Sequence, residues 1–171
     1  MSNKRGAPKQ AAEPGAASLA LAVHYAAPEP RLPRWRLRRW AGYALQTAAA
    51  DGLTDFARVE LSLRLVGLAE GRRLNRDFRG RDYATNVLTF EYGVDPEGAA
   101  RGDVVICAPI LAREAREQRK PFLHHAAHLT IHGVLHALGY DHLNKHDAQR
   151  MEGLEIQALA RIGIADPYIT A

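Results

Sequence analysis

Apolar residues recur along this chain with two different periods, and the switching between them predicts its elements. Residues 19–25 (L-A-L-A-V-H-Y) are a short apolar run that predicts a first strand. Over 34–50, Leu37, Trp40, Ala41, Tyr43, Ala44 and Leu45 fall at helical spacing, and Asp51-Gly52 closes that helix. Residues 59–66 alternate, with Leu61, Leu63 and Leu65 on one face, as a half-buried strand requires. A short polar helix is expected over 70–78, and strands over 86–92 and 103–108, the second stopped by Pro109. A charged helix over 110–119 precedes a break at Pro121. The stretch 122–138 is long and apolar on nearly every side, so it should be a buried helix. A last helix covers 145–162, followed by a polar tail with Asp166-Pro167. Strands and helices mixed in this order predict one α+β domain, a small and mostly four-stranded mixed sheet packed with helices.

The chain has 171 residues, 47% hydrophobic and 25% charged, which suits one soluble domain with its own core. No apolar run approaches the length of a transmembrane helix, and no membrane partner is expected. Residues 1–18 are rich in Ala, Gly, Pro and Lys and lack a continuous apolar stretch. They read as a disordered extension rather than a secretory signal, with 19–171 as the domain. The single cysteine, Cys107, excludes an internal disulfide and suits a reducing compartment, the cytoplasm.

A net charge of +4 is moderate but unevenly spread. Arg31, Arg34, Arg36, Arg38 and Arg39 crowd around Trp35 and Trp40. A second cluster holds Arg72, Arg73, Arg76, Arg79 and Arg81, offset by Asp77 and Asp82. Basic side chains interleaved with aromatics suit phosphates and unstacked bases, although arginine stems also cover apolar surface on ordinary solvated helices. Two such clusters, together with one motif further along the chain, point to an anionic substrate.

That motif is H-G-V-L-H-A-L-G-Y-D-H, His132 to His142. His132 and His136 are one helical turn apart on one face, and Gly139 supplies the left-handed residue that ends a helix. The reversed chain can bring His142 back to the first two. Three imidazoles around one point, with a fourth position for water, is how a catalytic Zn2+ is held; nickel, copper or iron would accept the same donors. His128 extends the stripe by one more turn, but three ligands on a straight helix diverge along its axis. It is read as orienting a ligand or facing substrate. Asp141 is either the acceptor that orients a ligating imidazole or a turn residue. The spacing matches H-E-x-x-H-x-x-G-x-x-H of zinc proteases, except that Gly133 stands in place of the catalytic glutamate. That disfavours peptide hydrolysis and favours a phosphodiester, whose developing charge an arginine could stabilise.

The motif closely resembles the signature of the YbeY family of bacterial endoribonucleases and ribosomal RNA maturation factors. L-N-R-D-F-R-G-R-D-Y-A-T-N-V-L-T-F (74–90), G-D-V-V-I-C (102–107), M-E-G-L-E (151–155) and D-P-Y-I (166–169) follow the family in the same order. The resemblance implies an α+β fold reminiscent of zinc proteases, with one zinc ion held by His132, His136 and His142. It further implies that Arg79 assists RNA cleavage, with ribosomal RNA and ribosomal subunit proteins as partners. Ala84, Glu91 and Thr89 depart from the family pattern beside a strand, away from the ligands. From the residues alone, Arg79 ends a polar helix and could equally offset the helix dipole. Two rival functions are a non-enzymatic ribosome assembly factor with structural zinc, and a metallo-peptidase or amidase borrowing a carboxylate such as Asp103 or Glu155.

Overall fold

A computed structural model describes residues 17–52 and 56–169. The extension expected at 1–18 lies outside the described residues except for its last two, and Ser18 already belongs to the first strand. The elements in chain order are β1 (Ser18–Tyr25), α1 (Arg34–Ala50), β2 (Arg58–Val66), α2 (Leu68–Arg79), β3 (Val87–Val94), β4 (Ala99–Cys107), α3 (Ala108–Glu117), α4 (Phe122–Ala137) and α5 (Lys145–Ala160). The strands form one mixed sheet in the order β1-β2-β4-β3, with β1, β2 and β4 parallel and β3 antiparallel to β4. This is the α+β architecture that the two periods predict.

Strand alternation sorts the side chains onto two faces. Leu21 and Val23 of β1, Leu61, Leu63 and Leu65 of β2, and Val104 and Ile106 of β4 point to one face and share a core with α1, α4 and α5. Trp40, expected among the basic residues of α1, is buried in this core, whereas Trp35 stays exposed. On the other face α2 lies over the far end of β4, so close at Gly71 that an added Cβ would sit 3.2 Å from Cys107 Sγ.

Two boundaries differ from expectation for physical reasons. β4 begins at Ala99 rather than 103, because Ala99 to Gly102 pair with Arg58 to Leu61 of β2 despite weak strand propensity. Pro109 does not leave a gap after the strand. It occupies the first turn of α3, where a missing N–H costs nothing.

α4 is the central helix, and glycines set its distance from the sheet. A Cβ on Gly133 would lie 2.7 Å from Val104 Cγ1 and 3.1 Å from Val87 Cγ2. Reciprocally, a Cβ on Gly102 would lie 2.9 Å from Ala137 Cβ. From its third residue on, α4 is buried at every position except His124, His128, His132 and His136, which form a single stripe at four-residue spacing.

Candidate metal centre

His132 and His136 project from that stripe one turn apart, their ring centroids separated by 4.8 Å. α4 ends at Leu138, and Gly139, at φ 104°, reverses the chain in a region that side-chain-bearing residues rarely enter. The turn carries His142 to within 4.9 Å of the His136 ring and 5.8 Å of the His132 ring, centroid to centroid. One nitrogen from each of the three lies within 4.8 Å of the others, a grouping that could hold a metal ion. The donor set is chemically suited to one. Burial and the neighbouring His132 and His142 push the His136 imidazole down to about 4, so it is neutral and able to donate a lone pair at physiological pH.

Glu155 organises the set from behind. It is wholly buried, on the face of α5 that also buries Met151, Leu154, Ala158 and Leu159. One carboxylate oxygen meets His132 Nδ1, which leaves Nε2 of that ring for the shared point. The other oxygen meets His128 Nε2 at 3.1 Å and accepts the Tyr168 hydroxyl. Burial opposes the charge on Glu155, but the hydrogen bonds to His128 and His132 outweigh it and bring the carboxyl down to about 2. Burial and the Glu155 carboxylate push the Tyr168 phenol well above its usual range. His128 is therefore held against Glu155, and Glu155, not Asp141, orients a candidate ligand. Asp141 accepts the backbone N–H of His142 at 2.7 Å and acts as a turn residue. The sequence does carry a signal for Glu155. Met151, Leu154, Glu155 and Ala158 recur at helical spacing, and a glutamate in such a stripe must have a buried partner.

The missing glutamate of the protease pattern has a steric counterpart. Position 133 faces Val104 and Val87 on the sheet, with no room for a side chain of any kind. Asp103 does not approach the histidines. It follows Gly102, which faces α4, and lies on the opposite face of the sheet, where it accepts hydrogen bonds from Ser62 and Tyr92.

Arg79 closes α2, and Gly80 follows it at φ 68°. Its guanidinium donates to the Thr89 carbonyl at 2.9 Å and lies 5.7 Å from the Phe90 ring centroid. In the second basic cluster Arg72 pairs with Asp82, Arg73 with Glu70 and Arg76 with Asp77. Arg79 and Arg81 have no carboxylate partner among the described residues, and both line a cleft of about 420 Å3 together with His142 and Tyr83. The first cluster lies elsewhere. Arg34, Trp35 and Arg38 line clefts that contain none of the three histidines.

A small mixed sheet backed by a helix that presents imidazoles, with a third delivered by a glycine turn, defines an α+β protein with a candidate three-histidine metal centre. The endoribonuclease YbeY family profile matches residues 27–163. Endoribonuclease YbeY of Bordetella avium is 75% identical over 162 residues, covering 95% of this chain and 99% of its own length. The Bordetella pertussis protein of the same description is 69% identical, covering 91% and 99%. That of Thiobacillus denitrificans is 48% identical, covering 90% and 98%. This chain belongs to the endoribonuclease YbeY family. The solution structure of TM1509 from Thermotoga maritima shares the fold, with a TM-score of 0.54 and 23% identity over 88% of this chain and 100% of its own.

Proposed function

We propose that this protein is a zinc-dependent endoribonuclease that cleaves single-stranded segments of ribosomal RNA precursors in the cytoplasm, with residues 19–171 as its catalytic domain. One observation carries the reading. Three imidazoles converge beside a cleft that His142 lines together with Arg79 and Arg81, the arginines of the second cluster that have no carboxylate partner among the described residues. The family relatives are endoribonucleases, and RNA supplies the anion that such a cleft suits. No helix among the described residues is long and apolar enough to cross a membrane.

His132, His136 and His142 would hold the ion, and Glu155 fixes the His132 ring so that Nε2 faces it. Zinc, when bound, supplies Lewis acidity toward the phosphodiester and the attacking water. Arg79 spends one N–H on Thr89 and keeps its other donors for the phosphoryl oxygens, where negative charge grows in the transition state. Arg81 and Tyr83, paired at 3.1 Å, border the same cleft and bind the flanking strand.

Three features favour this over its rivals. Among the described residues the grouping has three protein donors and no fourth, the pattern of an open catalytic site rather than a closed structural one. Gly133 and Asp103 offer no base for a peptidase. Glu155 is committed to His132, His128 and Tyr168.

The test is RNA cleavage by rigorously purified protein of measured zinc content. His136→Ala should lose both zinc and cleavage. Arg79→Ala should keep zinc and lose cleavage by roughly 100- to 1,000-fold, the usual effect of removing one donor to a developing anion. Full RNase activity in both variants would overturn the assignment.

A further inference from the structure

The histidine stripe of α4 does not stop at the metal centre. It continues through His128 to His124, and there it opens into a second cleft of about 850 Å3 between the α3–α4 turn and the C-terminal segment. Arg119, Lys120, His124 and His128 line one side of this cleft; Ile164, Pro167 and Ile169 line the other. Asp166 is the one acidic group in it, and its carboxylate already accepts the Tyr168 backbone N–H at 2.8 Å. Arg119 and Lys120 form no ion pair among the described residues, unlike most arginines of the second basic cluster. Cationic tips facing an apolar wall suit a nucleotide, whose phosphate and whose base or ribose make opposite demands.

The cleft adjoins the metal centre across one segment of chain. Pro167 and Ile169 face it, while Tyr168 between them turns to the other side, reaching Glu155 and lining a pocket with His132 and His142. The segment is thus the partition between the two. His128 touches both, meeting Tyr168 at 3.2 Å and lying 6.4 Å from the His132 ring, centroid to centroid. Arg79 borders the histidines through the other cleft, the one it shares with His142.

The backbone at Arg119 adds a second observation. Among the described residues it is the only non-glycine at positive φ, 54°, in the position after a helix that glycine usually fills. Gln118 caps α3 and Lys120 N–H reaches back to the Ala115 carbonyl, so the turn is the one that normally selects glycine. An arginine held there at a conformational cost needs a use for its side chain.

We infer that this cleft is a phosphate subsite for the single strand of RNA flanking the scissile bond, with Arg119 and Lys120 as its binding residues. The inference rests on the endoribonuclease reading for the identity of the polyanion. From His132 to His124 is about 12 Å along the helix axis. Three to four stacked nucleotides, at roughly 3.4 Å each, span it. A substrate of two nucleotides cannot reach the cleft, whereas an oligomer of about ten can.

The experiment uses the full chain loaded with zinc and a double variant, Arg119→Asn with Lys120→Gln. Asparagine tolerates the left-handed backbone, so the charges leave without new strain. Binding of a fluorescent single-stranded RNA oligomer is measured across salt concentrations, alongside cleavage of that oligomer and of a dinucleotide. Two lost phosphate contacts should lower the slope of log affinity against log salt by about 1.4. KM for the oligomer should rise about tenfold with kcat nearly unchanged, while zinc content and dinucleotide cleavage stay at wild-type levels. An unchanged slope and KM would overturn the subsite. So would equal losses on both substrates. Wild-type protein that binds RNA with the full slope but cleaves none would defeat the endoribonuclease reading and leave the subsite standing.

Discussion

Val104 Cγ1 occupies the space where a side chain on Gly133 would begin, 2.7 Å from an ideal Cβ. The residue that separates this helix from the zinc-protease pattern is therefore a packing residue first. It lets α4 settle onto β3 and β4, and the same closeness leaves no volume for a glutamate.

Gly133→Ala should cost about 1–3 kcal/mol, the usual penalty for forcing a methyl group into a packed core. Combining it with Val104→Ala should cost less than the sum of the two single changes, since the second makes room for the first. Urea unfolding of the four proteins in this cycle measures the coupling; strict additivity would show that the two residues do not touch.

Arg79→Lys keeps a positive charge but lacks the fork that can donate to Thr89 and still present N–H groups to the cleft. Cleavage should fall by at least tenfold while the slope of RNA affinity against salt hardly moves. Kinetics at fixed zinc content and a salt titration of binding separate the two effects. A lysine enzyme with wild-type kcat would reduce Arg79 to a generic charge.

Glu155→Gln preserves the shape of the network but removes its charge. Zinc affinity should drop 10- to 100-fold, as when other carboxylates behind ligating histidines are replaced. Competition against a chromophoric chelator reads this directly. An ion held by the folded chain alone would stabilise it, so chelation should also lower the melting temperature, more in wild type than in the variant.

Asp95 should contribute to acid stability at the β3–β4 connection. Its carboxylate accepts the Ala99 and Glu97 backbone N–H groups and Arg101 Nε, and these hold its pKa below the ordinary 3.8. A depressed carboxyl stabilises the fold above its unfolded pKa, and that contribution disappears as pH falls through the folded value. Asp95→Asn should therefore show a flatter loss of stability below about pH 4 than wild type. Urea midpoints measured over about pH 3–6 would reveal parallel curves if the carboxylate were idle.

Much of this was legible in the residues. The apolar spacing of Leu37, Trp40, Ala41, Ala44 and Leu45 predicts α1 over the range observed, because local pattern and tertiary burial agree there. The histidine spacing with Gly139 predicts a convergence that geometry provides. The N-terminal half of β4 escaped because its strand character comes from its partner β2 rather than from Ala99, Ala100 or Arg101. The role of Glu155 escaped because its partner His132 is 23 residues away, a contact that only the packing of α5 on α4 creates. Pairing likewise separates Arg79 from Arg72, Arg73 and Arg76, which composition treats alike.

Thr89 receives the Arg79 guanidinium on its carbonyl at 2.9 Å and offers its hydroxyl to the Gly133 carbonyl at 3.4 Å. One residue of the edge strand β3 thus works as a gauge block between cation and histidine helix. Insertions in surface loops can reshape the mouth of the cleft without altering that gap. Anyone wishing to refit the centre to a bulkier or smaller anion would have to redraw β3, whose Val87 and Leu88 also line the cleft.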